Sequence, residues 1–437
     1  MAYRFPRANL WLYPILGLAV LCPSTLAAKK KPAAPQDRPV RATIQPALTI
    51  PAEPLGFAAP GPFYLGMRNS LVSLDFLDED RLLFTFRVPG LLERAQNGQA
   101  DPDSVREIRA LVLGLPQGNV EAEQVWTLHD RDRYLYMLSA GEFILRDQDQ
   151  LKLGNASLQL KPWLRFPGQV IWVELDPSRQ FLVTGSLEVP NAKPKPGTVG
   201  RPATASASIA TYSPPDPSTG KDLILRIIHR GTSQVMMVSH VEEAIHLPIG
   251  SGGYLESVRG IGMNWSLNFD HFTGGSTPAG TVDSVCTPYL SFLSSNEFLA
   301  AACGSSGNPH LFAFTLDGRR LWQNLDPGPD VWPVIVPSAN GLRFAREALN
   351  VDRAVNASMP LSPDDIKGQD VQVFDAATGK LVLRAAASPI FDAGGNVALS
   401  PSGRRAAILM DGNIQIFNLP APPPIPADNQ QAKRSKN

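Results

Sequence analysis

The sequence has no surplus charge of either sign. Its 40 Lys and Arg offset 40 Asp and Glu, and charged residues make up only 18% of the 437. A strongly basic nucleic-acid binder, a disordered polyampholyte and a coiled coil are thereby excluded. Three cysteines are too few for a disulfide-dense scaffold. Past the N-terminus no apolar run approaches the roughly 20 residues of a spanning helix. Histidine is scarce: His129, His229, His240, His246, His271 and His310 form no His-x-His or His-Glu-x-x-His pair, so no metal site has a local signature. No Gly-x-Ser-x-Gly elbow occurs either, and GSSG (304–307) is one residue short of it.

Gly and Pro, by contrast, are abundant: 76 residues, about 17% of the chain, against a usual share of roughly 12%. Such punctuation suits many short strands joined by turns. The first 28 residues read as a secretory signal peptide, with Arg4 and Arg7, an apolar stretch at 9–21 and small residues before Lys29. Leu21 stands where a lipidated Cys22 would need a small residue. The expected location is therefore periplasmic or extracellular, with no stable membrane span after cleavage. Export would put Cys286 and Cys303 in an oxidising compartment. They flank a hairpin, CTPYLSFL-SS-NEFLAAAC, and a turn centred on Ser294-Ser295 sets them opposite each other, so a disulfide is expected. Three segments lack apolar periodicity: Pro/Ala-rich 29–54 (apart from a strand around 42–50), an insertion at 190–221, and a tail at 421–437.

Between these segments one pattern recurs: a short apolar strand, a polar turn and a second apolar strand. It appears as LDFLDEDRLLFTF (74–86), WVELDPSRQFLVTG (172–185), LSFLSSNEFLAAA (290–302), VIVPSANGLRFARE (334–347) and VALSPSGRRAAILMDGNIQIFNLP (397–420). A looser copy is TLHDRDRYLYMLSAGEFILRD (127–147). HLFAFTLDGRRLWQN (310–324) and VQVFDAATGKLVLRA (371–385) add a second hairpin to two of these. Paired hairpins make a four-stranded meander, and its repetition predicts an all-β fold, a β-propeller forming one domain over 55–420. With the insertion at 190–221 set aside, seven blades of about 48 residues fit the span, while six or eight remain compatible with it. The interval between the turns at 178 and 295 is long enough to hold an additional blade near 245–269. The last blade lacks a fourth strand, which a strand within 47–63 would supply, closing the ring.

The 398–420 segment resembles the WD-repeat-like units of exported bacterial β-propellers, without the Gly-His and Trp-Asp signatures of the eukaryotic repeats. The resemblance is specific for fold. Quinoprotein dehydrogenases, also propellers, carry an Asp-x-x-Thr-Gly-Lys-x-x-Trp motif. Asp375, Thr378, Gly379 and Lys380 match it, but Leu383 takes the Trp position and the adjacent-cysteine pair is missing. These residues, with Asp317, Gly318 and Trp322, read as turn and blade-packing elements. The acidic runs 78–80 and 147–149, beside Arg81 and Arg146, read as solvated turns rather than calcium loops. The one local cluster with chemical potential is Asp270 and His271 beside the glycine-containing loop 273–280, with Asp283 just after.

The expectation from sequence is an exported non-enzymatic propeller, a scaffold that binds a protein or cell-envelope component and uses no cofactor. The alternative is a propeller enzyme, a hydrolase or quinone-dependent dehydrogenase, with an axial active site assembled from several blades. No catalytic residue is assigned. The neutral total also hides an uneven distribution, since 55–420 carries 30 basic and 37 acidic residues between basic ends.

Overall fold

The computed structural model describes residues 42–59, 72–88, 106–129, 133–139, 141–189, 222–241, 246–303, 309–324, 330–351, 365–391 and 394–422. The leader at 1–28, the insertion at 190–221, the loop 304–307 and the tail beyond 422 lie outside the described residues. Residues 40–437 form one compact unit. Among the described residues no helix is long and apolar enough to cross a membrane.

Seven antiparallel sheets form a β-propeller. Blade 1 runs from Val72–Phe76 to Asn119–Leu128, blade 2 from Leu135–Met137 to Leu160–Arg165, and blade 3 from Gln169–Leu175 to Gln234–Val241. Blade 4 comprises Gly253–Arg259, Asn264–His271 and Ser276–Asp283. Blade 5 runs from Tyr289–Phe292 to Arg320–Asn324, blade 6 from Asp330–Pro337 to Leu381–Ala387, and blade 7 from Val397–Leu399 to Asn413–Asn418. Blade 4 is the one hidden between the turns at 178 and 295. Its innermost strand is reduced to a bridge between Ile249 and Tyr254 and a bond from the Leu255 N–H to the Pro248 carbonyl, 2.9 Å.

The looser repeat copy at 127–147 does not fold as one hairpin. Its first residues finish blade 1, whereas the inner hairpin of blade 2 turns later, where Leu138 N–H meets the Glu142 carbonyl at 2.9 Å. The Glu142 N–H closes the bend on the Ser139 carbonyl at 3.2 Å, with Gly141 at φ 77°.

Alternation along the strands explains the core. Seven hydrophobic clusters lie between neighbouring blades, among them Leu74, Phe84 and Phe86 against Ile414 and Ile416 at the junction of blades 7 and 1. That junction is closed from the N-terminal side: Leu48–Pro51 pairs antiparallel with Asn413–Asn418, Leu48 facing Ile416, and Ile50 is buried in the same cluster. A polar clasp completes it. Glu79, in the first turn of blade 1, accepts from the backbone N–H (2.6 Å) and hydroxyl (2.8 Å) of Ser402, and Arg405 pairs with Asp80 at 3.1 Å. The 78–80 run is thus a ring-closing element. The 147–149 run also departs from expectation. Asp147 and Arg146 are buried; Asp147 holds Lys152 at 2.9 Å and His129, while Arg146 donates to the Val170 carbonyl at 2.7 Å.

Candidate functional site

Each blade's innermost strand or an adjoining residue faces the ring axis, and together they line an open cavity of about 560 Å³. Its wall takes Asp75 from blade 1, Tyr136 from blade 2, Glu174 and Arg179 from blade 3, and Ile249 from blade 4. Tyr289, Ile335 and Leu399 represent blades 5, 6 and 7, and Arg133 and His246 enter from the segments leading into blades 2 and 4. The two acidic residues interrupt otherwise apolar strands. In VSLDF, Val72, Leu74 and Phe76 pack into the junction core while Ser73 and Asp75 occupy the other face, and Ser73 donates to the Asp75 carboxylate. In QVIWVEL a bulge between Val170 and Trp172 lets Val170 and Val173 share one core, leaving Glu174 at the cavity wall.

Three blades meet at His246. Its Nδ1 lies 3.2 Å from Glu174 Oε2, its Nε2 meets the Leu290 carbonyl, and its ring stacks on Tyr289 with centroids 4.2 Å apart and planes 7° from parallel. Both ring nitrogens therefore face oxygen acceptors, an arrangement that the doubly protonated imidazolium satisfies. Burial opposes its charge, but Glu174 and the Leu290 carbonyl outweigh burial and raise its pKa above the ordinary imidazole value. Burial, with Glu174 adding to it, likewise raises the Tyr289 phenol.

Asp75 is the second titratable element. Burial pushes its pKa up to about 6, against the opposing influence of Arg133 and the Ser73 hydroxyl. A carboxyl so placed exchanges its proton near neutrality, as general acid–base chemistry requires. Arg133 donates from Nε to the Leu135 carbonyl at 3.2 Å, and its guanidinium carbon lies 5.2 Å from the Tyr136 ring centroid. Apolar wall is supplied by Phe76, Trp172 and Ile335. The cavity thus combines a proton-exchanging acid, a histidine–carboxylate pair, two guanidinium groups and apolar surface.

The residues singled out from sequence lie elsewhere. Cys286 and Cys303 form a disulfide with their Cα atoms 5.6 Å apart. The hairpin register is one residue off the expected one, since Tyr289 faces Ala301 and the turn centres on Ser295, so Cys286 lies just before the ladder. Asp270 and His271 end one strand of blade 4, and Asp270 faces Ser276 across the hairpin. Asp283 faces Asn264 at the opposite end, roughly 20 Å away along the strand. The structure therefore keeps Asp283 apart from the other two. Asp270 instead neighbours Glu256, whose pKa is raised by burial and by Asp270, and His271 meets the Thr277 hydroxyl at 2.9 Å. The quinoprotein-like residues take packing positions. Trp322 of blade 5 donates to the Ala376 carbonyl at 2.7 Å and stacks on Phe344 of blade 6. A Cβ at Gly379, where φ is 66°, would come within 2.5 Å of the indole.

The cavity residues escaped sequence reading because they are scattered from 75 to 401 and share no local motif. Two signals were present: an acid within each of two apolar inner strands, and an arginine at 179 where the similar turns at 338–341 and 400–403 carry glycine.

No protein-family model matches the chain, and no curated protein is similar to it at a significant level. Among solved structures it is similar to an uncomplexed acylaminoacyl peptidase of Pyrococcus horikoshii, with 9% identity, a TM-score of 0.46, and 81% of this chain aligned with 52% of that one. A chain of a mitotic checkpoint complex gives 12% identity and a TM-score of 0.44 over 93% and 98% of the two chains. The β-propeller domain of the Trilobed protease of Pyrococcus furiosus gives 9% and 0.42 over 80% and 94%. The chain spans about half the length of the peptidase. At this level the likeness bears on the fold alone. The expected non-enzymatic scaffold is the weaker of the two sequence readings: the solved structures similar in fold include an acylaminoacyl peptidase and the β-propeller domain of a protease, and the axial cavity gathers charged and titratable side chains that a passive scaffold does not need.

Proposed function

We propose that this chain is a propeller hydrolase, or the propeller part of one, whose axial cavity is the active site. The observation that carries this reading is the placement of Asp75, with its carboxyl raised to about 6, in a cavity that also holds the His246–Glu174 pair. In the ionised state Asp75 takes a proton from water as the water oxygen bonds to the electrophilic centre of the substrate. As the bond to the leaving group breaks, the same proton passes to the leaving group. Arg133 and the His246 imidazolium supply positive charge for the anion that develops between these steps. The cavity volume suits a small molecule or the end of a chain. The leader-like start supports action outside the cytoplasm in an exported, WD-repeat-like propeller, and the Cys286–Cys303 disulfide fits such a compartment.

The test is a hydrolysis screen of the purified protein with 4-nitrophenyl esters, aminoacyl 4-nitroanilides and 4-nitrophenyl phosphate. Turnover that falls by roughly two orders of magnitude in Asp75→Asn supports the proposal. Turnover unchanged by that substitution, or none on any of the three classes, overturns it.

A further inference from the structure

We infer that the axial cavity recognises an anionic ligand, a carboxylate or phosphate joined to an apolar body, through Arg179 and Arg133. This assignment names the substrate class of the hydrolase proposed above and rests on that reading for its catalytic meaning, but binding can be measured without turnover.

The first ground is the backbone at Arg179. The turns after the inner strands of blades 3, 6 and 7 are built alike. Asp176 N–H bonds to the Phe181 carbonyl (3.1 Å) and Arg179 N–H to the Asp176 carbonyl (3.0 Å). Ser338 with Arg343 and Gly341, and Ser400 with Arg405 and Gly403, repeat both bonds at 2.8–3.0 Å. The fourth residue of each turn is left-handed: φ is 71° at Gly341 and 66° at Gly403, but the residue with φ 61° in blade 3 is Arg179. A side chain there costs about 1 kcal/mol relative to glycine. Nothing in the turn needs that side chain, because the two backbone bonds form equally well with glycine. The side chain instead lines the cavity.

The second ground is the charge balance inside the cavity. Glu174 is already matched by His246, while Asp75, with its carboxyl raised to about 6, is neutral below that pH and offsets one of the two guanidinium charges above it. Asp176, the nearest counter-charge to Arg179, spends its oxygens on its own turn, accepting from Ser178 N–H at 2.9 Å, from the Ser178 hydroxyl, and from Phe181 N–H at 2.7 Å. Among the described residues, no side-chain hydrogen bond or ion pair is made by Arg179. Among the described residues Arg133 hydrogen-bonds through Nε alone, on a carbonyl, and burial, joined by Arg133, disfavours the charge on Arg179 more than Asp176 favours it. Two like charges at a confined site are stabilised by an anion that bridges them, and a guanidinium presents paired donors suited to carboxylate or phosphate. Trp172 and Ile335, which line the same cavity, offer an apolar wall for the remainder of the ligand.

The experiment is calorimetric titration of the purified full chain with benzoate, phenyl phosphate and the neutral control benzamide, in wild type and Arg179→Gly. Wild type should bind at least one anion saturably and not benzamide. Binding of phenyl phosphate alone would identify a phosphate ligand, and binding of benzoate alone a carboxylate. Arg179→Gly should weaken binding roughly tenfold to a hundredfold while its melting temperature stays equal or rises, because glycine fits the left-handed turn. No anion binding to wild type, or equal binding to the variant, overturns the inference. Anion binding without turnover on any substrate would retire the hydrolase reading and leave this one standing, whereas Asp75-dependent turnover insensitive to Arg179→Gly would do the reverse.

Discussion

Replacing Glu347 with glutamine should make the protein more stable, and increasingly so as the pH rises. Glu347 lies on the second strand of blade 6, only 1% exposed, and one carboxylate oxygen accepts from Gln369 while the other has no partner among the described residues. Burial, the larger influence, pushes its pKa up to about 8 from 4.5, against the Gln369 hydrogen bond. Below about pH 4.5 the carboxyl is neutral in both the folded and unfolded chain, and the raised pKa costs nothing. Above that the unfolded chain releases its proton while the folded chain retains it, so stability falls by about 1.4 kcal/mol per pH unit until the folded group titrates near 8. Between pH 5.5 and 7.5 this amounts to roughly 3 kcal/mol. Glutamine keeps the shape and the acceptor for Gln369 but cannot ionise. Chemical denaturation of both proteins at several pH values should therefore show a stability difference that grows by about that amount across the interval. A difference independent of pH would refute the assignment of a neutral buried carboxyl.

Two further predictions concern how the ring is held. Replacing both Cys286 and Cys303 with serine should cost roughly 3 kcal/mol in the chain-entropy view of a loop of this length, visible as a lower denaturation midpoint that reductant reproduces in the wild type; an unchanged midpoint would mean that the bond is absent in solution. Glu79→Ala removes both acceptors for Ser402 and should cost about 1–3 kcal/mol, with faster hydrogen exchange in 48–51 and 413–418 than elsewhere; uniform exchange would show that the clasp does not guard the closure.

The fold was legible because a propeller repeats. Alternating apolar arms and Asp, Ser, Pro or Gly turns recur often enough to give the strands, and the unfinished last blade foretold an N-terminal partner, found at Leu48–Pro51. Blade 4 was harder to see: its innermost strand has shrunk to the Ile249 bridge, so the paired-hairpin signal is missing there. The blade 2 turn was misplaced because a run of charged residues makes a stronger turn signal than the stretch before Glu142, where Leu138 and Glu142 close the hairpin. The site was almost wholly illegible. His246 gains its character from Glu174, Leu290 and Tyr289, none within 40 positions of it, and only ring closure brings them together. Asp270, His271 and Asp283 were close in sequence, yet a hairpin sends its two ends in opposite directions.

The central claim is that the axis of the ring is an acid–base site, and its most direct test is the pH dependence of kcat/KM on whichever substrate class the protein hydrolyses. The account predicts a rise through an inflection near pH 6, from the Asp75 carboxyl, that disappears along with most of the rate in Asp75→Asn. A profile with the same inflection and comparable rate in that variant would contradict it.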